Sequence, residues 1–249
     1  MDAVEIKIFE SPNLLFDYAA QDFFNQVMKT VQNKGTFSVA LSGGSTPLSF
    51  FDTLVRMNKN DIPWNCIQFF FGDERYVPAD NAKSNYHMAY EHLFSKVPIN
   101  PKNIHRIPTE NEDRFISANE YALTIKKILP TEQFDLCYLG LGSDAHTASL
   151  MPDSETVKTW LQNVGKTNQP NVTPHFDKKT GIDRITLTPN LINQSKEIIF
   201  MATGKDKAIA VDQILQGEKN PLAYPAQLIN SAHGKTRWLL DQLAAEKLI

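Results

Sequence analysis

The chain has 249 residues, 42% of them hydrophobic and 21% charged, an ordinary globular composition with length enough for a sizeable core. Its 25 basic and 28 acidic side chains leave a formal net charge of −3, which argues against bulk binding to nucleic acid or to a membrane surface. The N-terminus MDAVEIKIFESP lacks a basic-then-apolar leader pattern, no run approaches about 18 apolar residues, and the two cysteines show no metal-ligand spacing. One domain over residues 1–249, in the cytosol, is the expectation.

In chain order, VEIKIF (4–9) alternates as a strand, and residues 12–32 carry apolar side chains at helical spacing. TFSVALS (36–42) reads as a strand, and PLSFFDTLV (47–55) as a helix opened by Ser45, Thr46 and Pro47. CIQFFFG (66–72) and FDLCYLG (134–140) are continuously apolar, as strands buried on both faces are. Residues 84–95, with Ser84 or Asn85 as the cap that starts them, and 115–129 are helix-like. RITLT (184–188), EIIFMAT (197–203) and TRWLL (236–240) read as strands, with a helix at 205–216. The stretch 160–183 is rich in Pro, Asn, Lys and Gly and reads as a long loop suited to act as a flap. The alternation predicts an α/β fold, a mostly parallel, Rossmann-like sheet with helices on both faces. Such sheets bind ligands at the carboxyl ends of their strands.

Four motifs sit at such ends. SGGSTP (42–47) joins a strand to a helix. Gly43 and Gly44 let backbone amides approach an anion, and Ser45 and Thr46 add hydroxyls. The same residues would also serve as a tight turn with an ordinary N-cap. FFGDERYVP (70–78) ends a strand in charge. There Arg75 could hold a phosphate or carboxylate bidentately and Asp73 a hydroxyl, or the cluster is a solvated turn. GLGSDAHTASLMP (140–152) sets Asp144 two residues before His146. It is a helix-starting turn or a general base with its supporting acid; its GLGSDA also fits, weakly, a dinucleotide fingerprint, without a clear acid about 20 residues later. TGKDKA (203–208) offers Lys205 and Lys207, and RITLT offers Arg184, as charges for an anion; solvated cations are the commoner reading of such residues taken singly.

Taken in order, these motifs, with YPAQL (224–228) and WLLDQLAA (238–245), resemble the 6-phosphogluconolactonase family of the glucosamine-6-phosphate isomerase-like fold group. The resemblance covers nearly the whole chain. It implies hydrolysis of 6-phospho-D-glucono-1,5-lactone to 6-phosphogluconate in the oxidative pentose phosphate pathway, with no cofactor and no metal. It assigns water activation to His146 and support to Asp144. Gly43, Gly44, Ser45 and Thr46 match residues lining the substrate site, and Arg75, Arg184 and Lys207 match basic positions around the sugar phosphate. Two positions depart from the pattern: the family commonly has glycine where Ala145 stands and phenylalanine where Met151 stands. A positive φ at Ala145 would cost about 1 kcal/mol or more; otherwise its methyl only adds to the pocket wall. Two rival readings remain. One is an isomerase-deaminase of the same fold, whose histidine motif has a glutamate soon after the histidine where this chain reads HTASLMP. The other is a non-catalytic sugar-phosphate-binding protein.

Overall fold

The computed structural model describes residues 4–58, 60–166 and 169–248. Along the chain lie β1 (Val4–Phe9), α1 (Pro12–Lys34), β2 (Phe37–Leu41), α2 (Ser45–Asn58), β3 (Ile67–Phe71) and β4 (Asp73–Arg75). Then come α3 (Asn85–His92), α4 (Arg114–Ile128), β5 (Leu136–Gly140), α5 (Glu155–Gln162), β6 (Val172–Asp177) and β7 (Ile182–Leu187). The chain closes with α6 (Pro189–Ile192), β8 (Glu197–Ala202), α7 (Ala208–Leu215) and β9 (Lys235–Asp241).

Six strands form one sheet in the order β1-β9-β8-β5-β2-β3, and every adjacent pair is parallel. The chain leaves β2 toward β3 on one side and later returns to β5 on the other. Strand order therefore reverses between β2 and β5, and a crevice opens above their carboxyl ends. The sequence explains why these two strands are central. All five residues of β2 and the first four of β5 are buried, as apolar strands covered on both faces must be. α1 starts on Ser11, whose hydroxyl accepts from the Leu14 amide, and continues through Pro12, which has no amide to lose. Its apolar stripe, Leu15, Ala19, Phe23 and Val27, faces the core, where Phe23 meets Phe37, Phe50 and Tyr138 at centroid distances of 5.8, 6.4 and 6.3 Å. Aromatic contacts at such spacings add to the stabilisation from burial alone.

The stretch 160–183 differs from the sequence expectation of a loop. It holds the end of α5, all of β6 and the start of β7, and β6 pairs antiparallel with β7 from Val172↔Leu187 to Asp177↔Ile182. Thr167 and Asn168 of that stretch lie outside the described residues. β4, β7 and β6 make a second, three-stranded antiparallel sheet with β6 at its edge. An edge strand tolerates Pro174, which is why a proline-bearing segment is a strand here. Asp73–Arg75, read from sequence as a charged strand end, is itself the short strand β4 of this sheet.

Candidate active site

The crevice between β2 and β5 is built from strand ends. After β2 the chain turns through Ser42, Gly43 and Gly44, the last at φ 106°, into α2. The Gly44 carbonyl accepts from the Leu48 amide at 3.1 Å, so the helix begins at once and its first amides are left facing the crevice. A side chain on Gly43 would collide with the Asn85 carboxamide. Thr46 Oγ1 lies 3.3 Å from Thr203 Oγ1, joining this turn to the end of β8.

β4 and the start of α3 supply a second wall. Glu74 is buried, and its carboxylate accepts from the amides of Arg75, Asn85 and Tyr86 and from the Ser84 hydroxyl at 2.7–2.9 Å. Burial pushes its carboxyl up, and these four hydrogen bonds oppose the shift. Glu74 thus fastens β4 to the N-terminus of α3, where a negative charge is favourable. Its strand neighbours point the other way, toward the crevice. Asp73 Oδ2 accepts from Ser149 Oγ at 2.6 Å, and Asp73 Oδ1 accepts from Asn85 Nδ2 at 3.1 Å. Arg184 stands opposite Arg75 in the β4–β7 register. It is nine-tenths buried between Asp177 Oδ2 at 3.0 Å and Asp73 Oδ2 at 3.7 Å. The Arg75 guanidinium donates to the Lys83 carbonyl and has no carboxylate partner among the described residues.

The turn after β5 carries the imidazole. The Gly142 amide donates to the His146 carbonyl at 2.8 Å, and the Ala145 amide to the Gly142 carbonyl at 3.0 Å. His146 Nδ1 lies 2.5 Å from Asp144 Oδ1. A side chain at Gly142 would strike both the ring and that carboxylate oxygen, so the pair requires glycine there. The hydrogen bond from His146 holds the Asp144 carboxyl down at about 2. Ala145 adopts φ 65°, in the left-handed region, and is buried. Its carbonyl accepts from the Ala226 amide at 3.2 Å, so the YPAQL segment clamps the strained residue.

Nine of the eleven side chains and turn residues singled out from sequence line one cleft of about 190 Å³: Gly43, Gly44, Ser45, Thr46, Asp73, Arg75, His146, Arg184 and Lys207. Of the other two, Asp144 stands behind His146 and borders a larger neighbouring cavity, and Lys205 is exposed and pairs with Glu246 at 3.2 Å instead. Lys207, in a 3₁₀ turn after β8, is largely buried and pairs at 2.9 Å with the exposed Asp206. Sequence reasoning missed Asn85, which read only as part of a helix cap. It lines the cleft fully buried, with its Oδ1 lacking a hydrogen-bond partner among the described residues. Ser42 and Gly142 also line the cleft.

Residues 10–238 match the family model described as glucosamine-6-phosphate isomerases/6-phosphogluconolactonase. A 6-phosphogluconolactonase from Synechocystis sp. is 34% identical over 253 residues, covering 99% of each chain. One from Nostoc sp. is 36% identical over 225 residues, 88% of this chain and 87% of its own. The crystal structure of 6-phosphogluconolactonase from Thermotoga maritima superposes with a TM-score of 0.81 at 30% identity, covering 96% of this chain and all of that one. The likeness runs through sequence and fold together, end to end, and the chain belongs to the glucosamine-6-phosphate isomerase/6-phosphogluconolactonase family.

Proposed function

We propose that this chain hydrolyses 6-phospho-D-glucono-1,5-lactone to 6-phosphogluconate, with His146 as general base. The observation that carries the reading is the Asp144–His146 pair, standing at the carboxyl end of β5 on the rim of a cleft rich in anion-binding groups. Asp144 is ionised at neutral pH and can only accept, so the imidazole proton sits on Nδ1. Nε2 then keeps its lone pair for a water proton. The hydroxide adds to the C1 carbonyl, and the tetrahedral intermediate collapses by breaking the bond from C1 to the ring oxygen. The imidazolium returns its proton to that oxygen, leaving the hydroxy acid. A lactone is already an activated ester, so no serine nucleophile is required. The amides at the start of α2 and the Arg75 guanidinium are the donors for the oxyanion and the phosphate.

Charge separates the basic groups. Arg184 lies between two carboxylates, whereas among the described residues the Arg75 guanidinium has none and Lys207 meets only an exposed one. Arg75 and Lys207 therefore supply the net positive charge for a phosphate, which anchors the substrate away from the reacting carbon. Asp73 and Asn85 offer oxygen acceptors for sugar hydroxyls. The free thiols Cys66 and Cys137 support a reducing, cytoplasmic compartment. The isomerase-deaminase reading has no support from an acid following His146 in HTASLMP.

The test is loss of the lactone above its spontaneous rate, measured in parallel with deamination of glucosamine 6-phosphate. Wild type is expected to accelerate only the first, and His146→Ala to lower that rate by about 10² or more. An unchanged rate in the variant removes His146 from the mechanism. Deamination without lactonase activity overturns the assignment.

A further inference from the structure

Beside the small cleft lies a cavity of about 1230 Å³ between α5, β6 and the turn after His146. This exceeds the span of about 300–1,000 Å³ usual for small-molecule sites and is far more than a phosphosugar needs. Its walls combine two chemistries. Trp160 of α5 and Phe176 of β6 bring aromatic rings, the second half exposed, and Lys178 and Lys179 stand exposed on the rim. Its floor carries buried nitrogen atoms. His175 is 5% exposed with its Nδ1 3.0 Å from Thr156 Oγ1, and its Nε2 has no hydrogen-bond partner among the described residues. Arg184 Nε and Trp160 Nε1 are likewise unpartnered.

Register explains how the floor joins the active cleft. Arg75, Arg184 and His175 are direct cross-strand partners on β4, β7 and β6, so they form one row on one face of the antiparallel sheet. Arg75 belongs to the small cleft, His175 to the large cavity, and Arg184 lines both, as does His146. Buried polar groups normally find partners, and this row holds three nitrogens unpartnered among the described residues, Arg75 Nε, Arg184 Nε and His175 Nε2, with Trp160 Nε1 a fourth on the facing helix; together they mark a surface shaped for a ligand.

We propose that the larger cavity is a second binding site, for an anion built on a planar ring system, of the nucleotide class. The ring lies against Trp160 and Phe176, and the charge meets Lys178 and Lys179 at the rim. Because Arg184 and His146 are common walls, occupancy opposes substrate binding in the small cleft.

The probe is ADP, titrated into the whole protein by calorimetry and by quenching of tryptophan fluorescence, readouts that do not depend on the lactonase assignment. Saturable binding at one site is expected, weakened about tenfold or more in Trp160→Ala through loss of stacking. The exposed double variant Lys178→Ala/Lys179→Ala is expected to weaken it similarly and serves if Trp160→Ala fails to fold. Lys207→Ala, which touches only the small cleft, is expected to leave ADP binding unchanged. Absence of saturable binding overturns the proposal, as does binding that survives in the lysine variant but is lost in Lys207→Ala. Inorganic phosphate or adenosine binding as tightly as ADP overturns the requirement for a ring and a charge together.

Discussion

A carboxylate accepts hydrogen bonds and cannot donate them, so Asp144 dictates where the His146 proton resides. Asp144→Asn reverses this: the amide nitrogen can donate to Nδ1 and force the proton onto Nε2, removing the lone pair assigned to water. The expected outcome is a fall in kcat of about 10² with KM within about twofold, since the geometry is kept. Equal kcat values would refute the tautomer argument. The same pair has a pH signature. A carboxyl depressed to about 2 stabilises the fold above its unfolded value and loses that stabilisation as the pH falls through about 2. The stability difference between wild type and Asp144→Asn should therefore shrink as the pH falls from about 4 toward about 2. Ala145, between the two, holds φ 65° with its amide and carbonyl both hydrogen-bonded. A β-branched side chain is far less tolerant of that conformation. Ala145→Val should cost about 2 kcal/mol or more and lower Tm by at least several degrees, with kcat falling as His146 shifts. Ala145→Gly should keep activity, and a Val variant as stable and active as wild type would remove strain from the account.

At the scale of elements, the β4–α3 junction depends on one buried acid. Glu74→Gln replaces a carboxylate oxygen by an amide that faces donors instead of accepting from them. We expect a loss of about 2 kcal/mol or more in denaturant unfolding and a raised KM, because Arg75 and Asn85 flank the lost contacts. Full stability would mean that α3 is held by other contacts. The junction also shows what the sequence disclosed. β2 and β5 were legible because both their faces are buried and the residues run apolar without a break; the motifs at their ends followed from the parallel-sheet rule. β6 was not, because VTPHFD mixes polar and apolar residues and includes a proline, and its partner's signal lies across a four-residue connection, 178–181. HFDKKTGIDRIT nonetheless carries a hairpin cue, a short glycine-containing link between two strand-length runs. Asn85 was hidden for a different reason. Its role depends on proximity to Gly43 and Asp73, which are remote in sequence, and Ser84 already explained the motif as a helix cap.

Over the whole molecule, the question is whether the two sheets fold together. Gly72 is bonded to both: its amide donates to the Leu41 carbonyl of β2, and its carbonyl accepts from the Leu187 amide of β7, each at 2.8 Å. Ser149 adds two more links across the gap, its amide to Thr186 Oγ1 and its hydroxyl to Asp73. The chain's first and last strands are also partners, since β1 lies parallel to β9 and the Gln242 amide donates to the Phe9 carbonyl. No strand group can therefore leave without breaking bonds to another, and residues 1–249 are expected to unfold as one domain. Three tryptophans report on separate regions. Trp64 stacks on Phe69 beside β3, Trp160 lies in α5 near the antiparallel sheet, and Trp238 stacks on Phe200 at the far side of the parallel sheet. In variants retaining one tryptophan, with the other two changed to phenylalanine, the fluorescence midpoint in denaturant should coincide with that of far-ultraviolet circular dichroism. If the Trp160 signal moves first, the antiparallel sheet is a separate unit. The floor shared by the small cleft and the larger cavity then opens independently of the β2–β5 crevice.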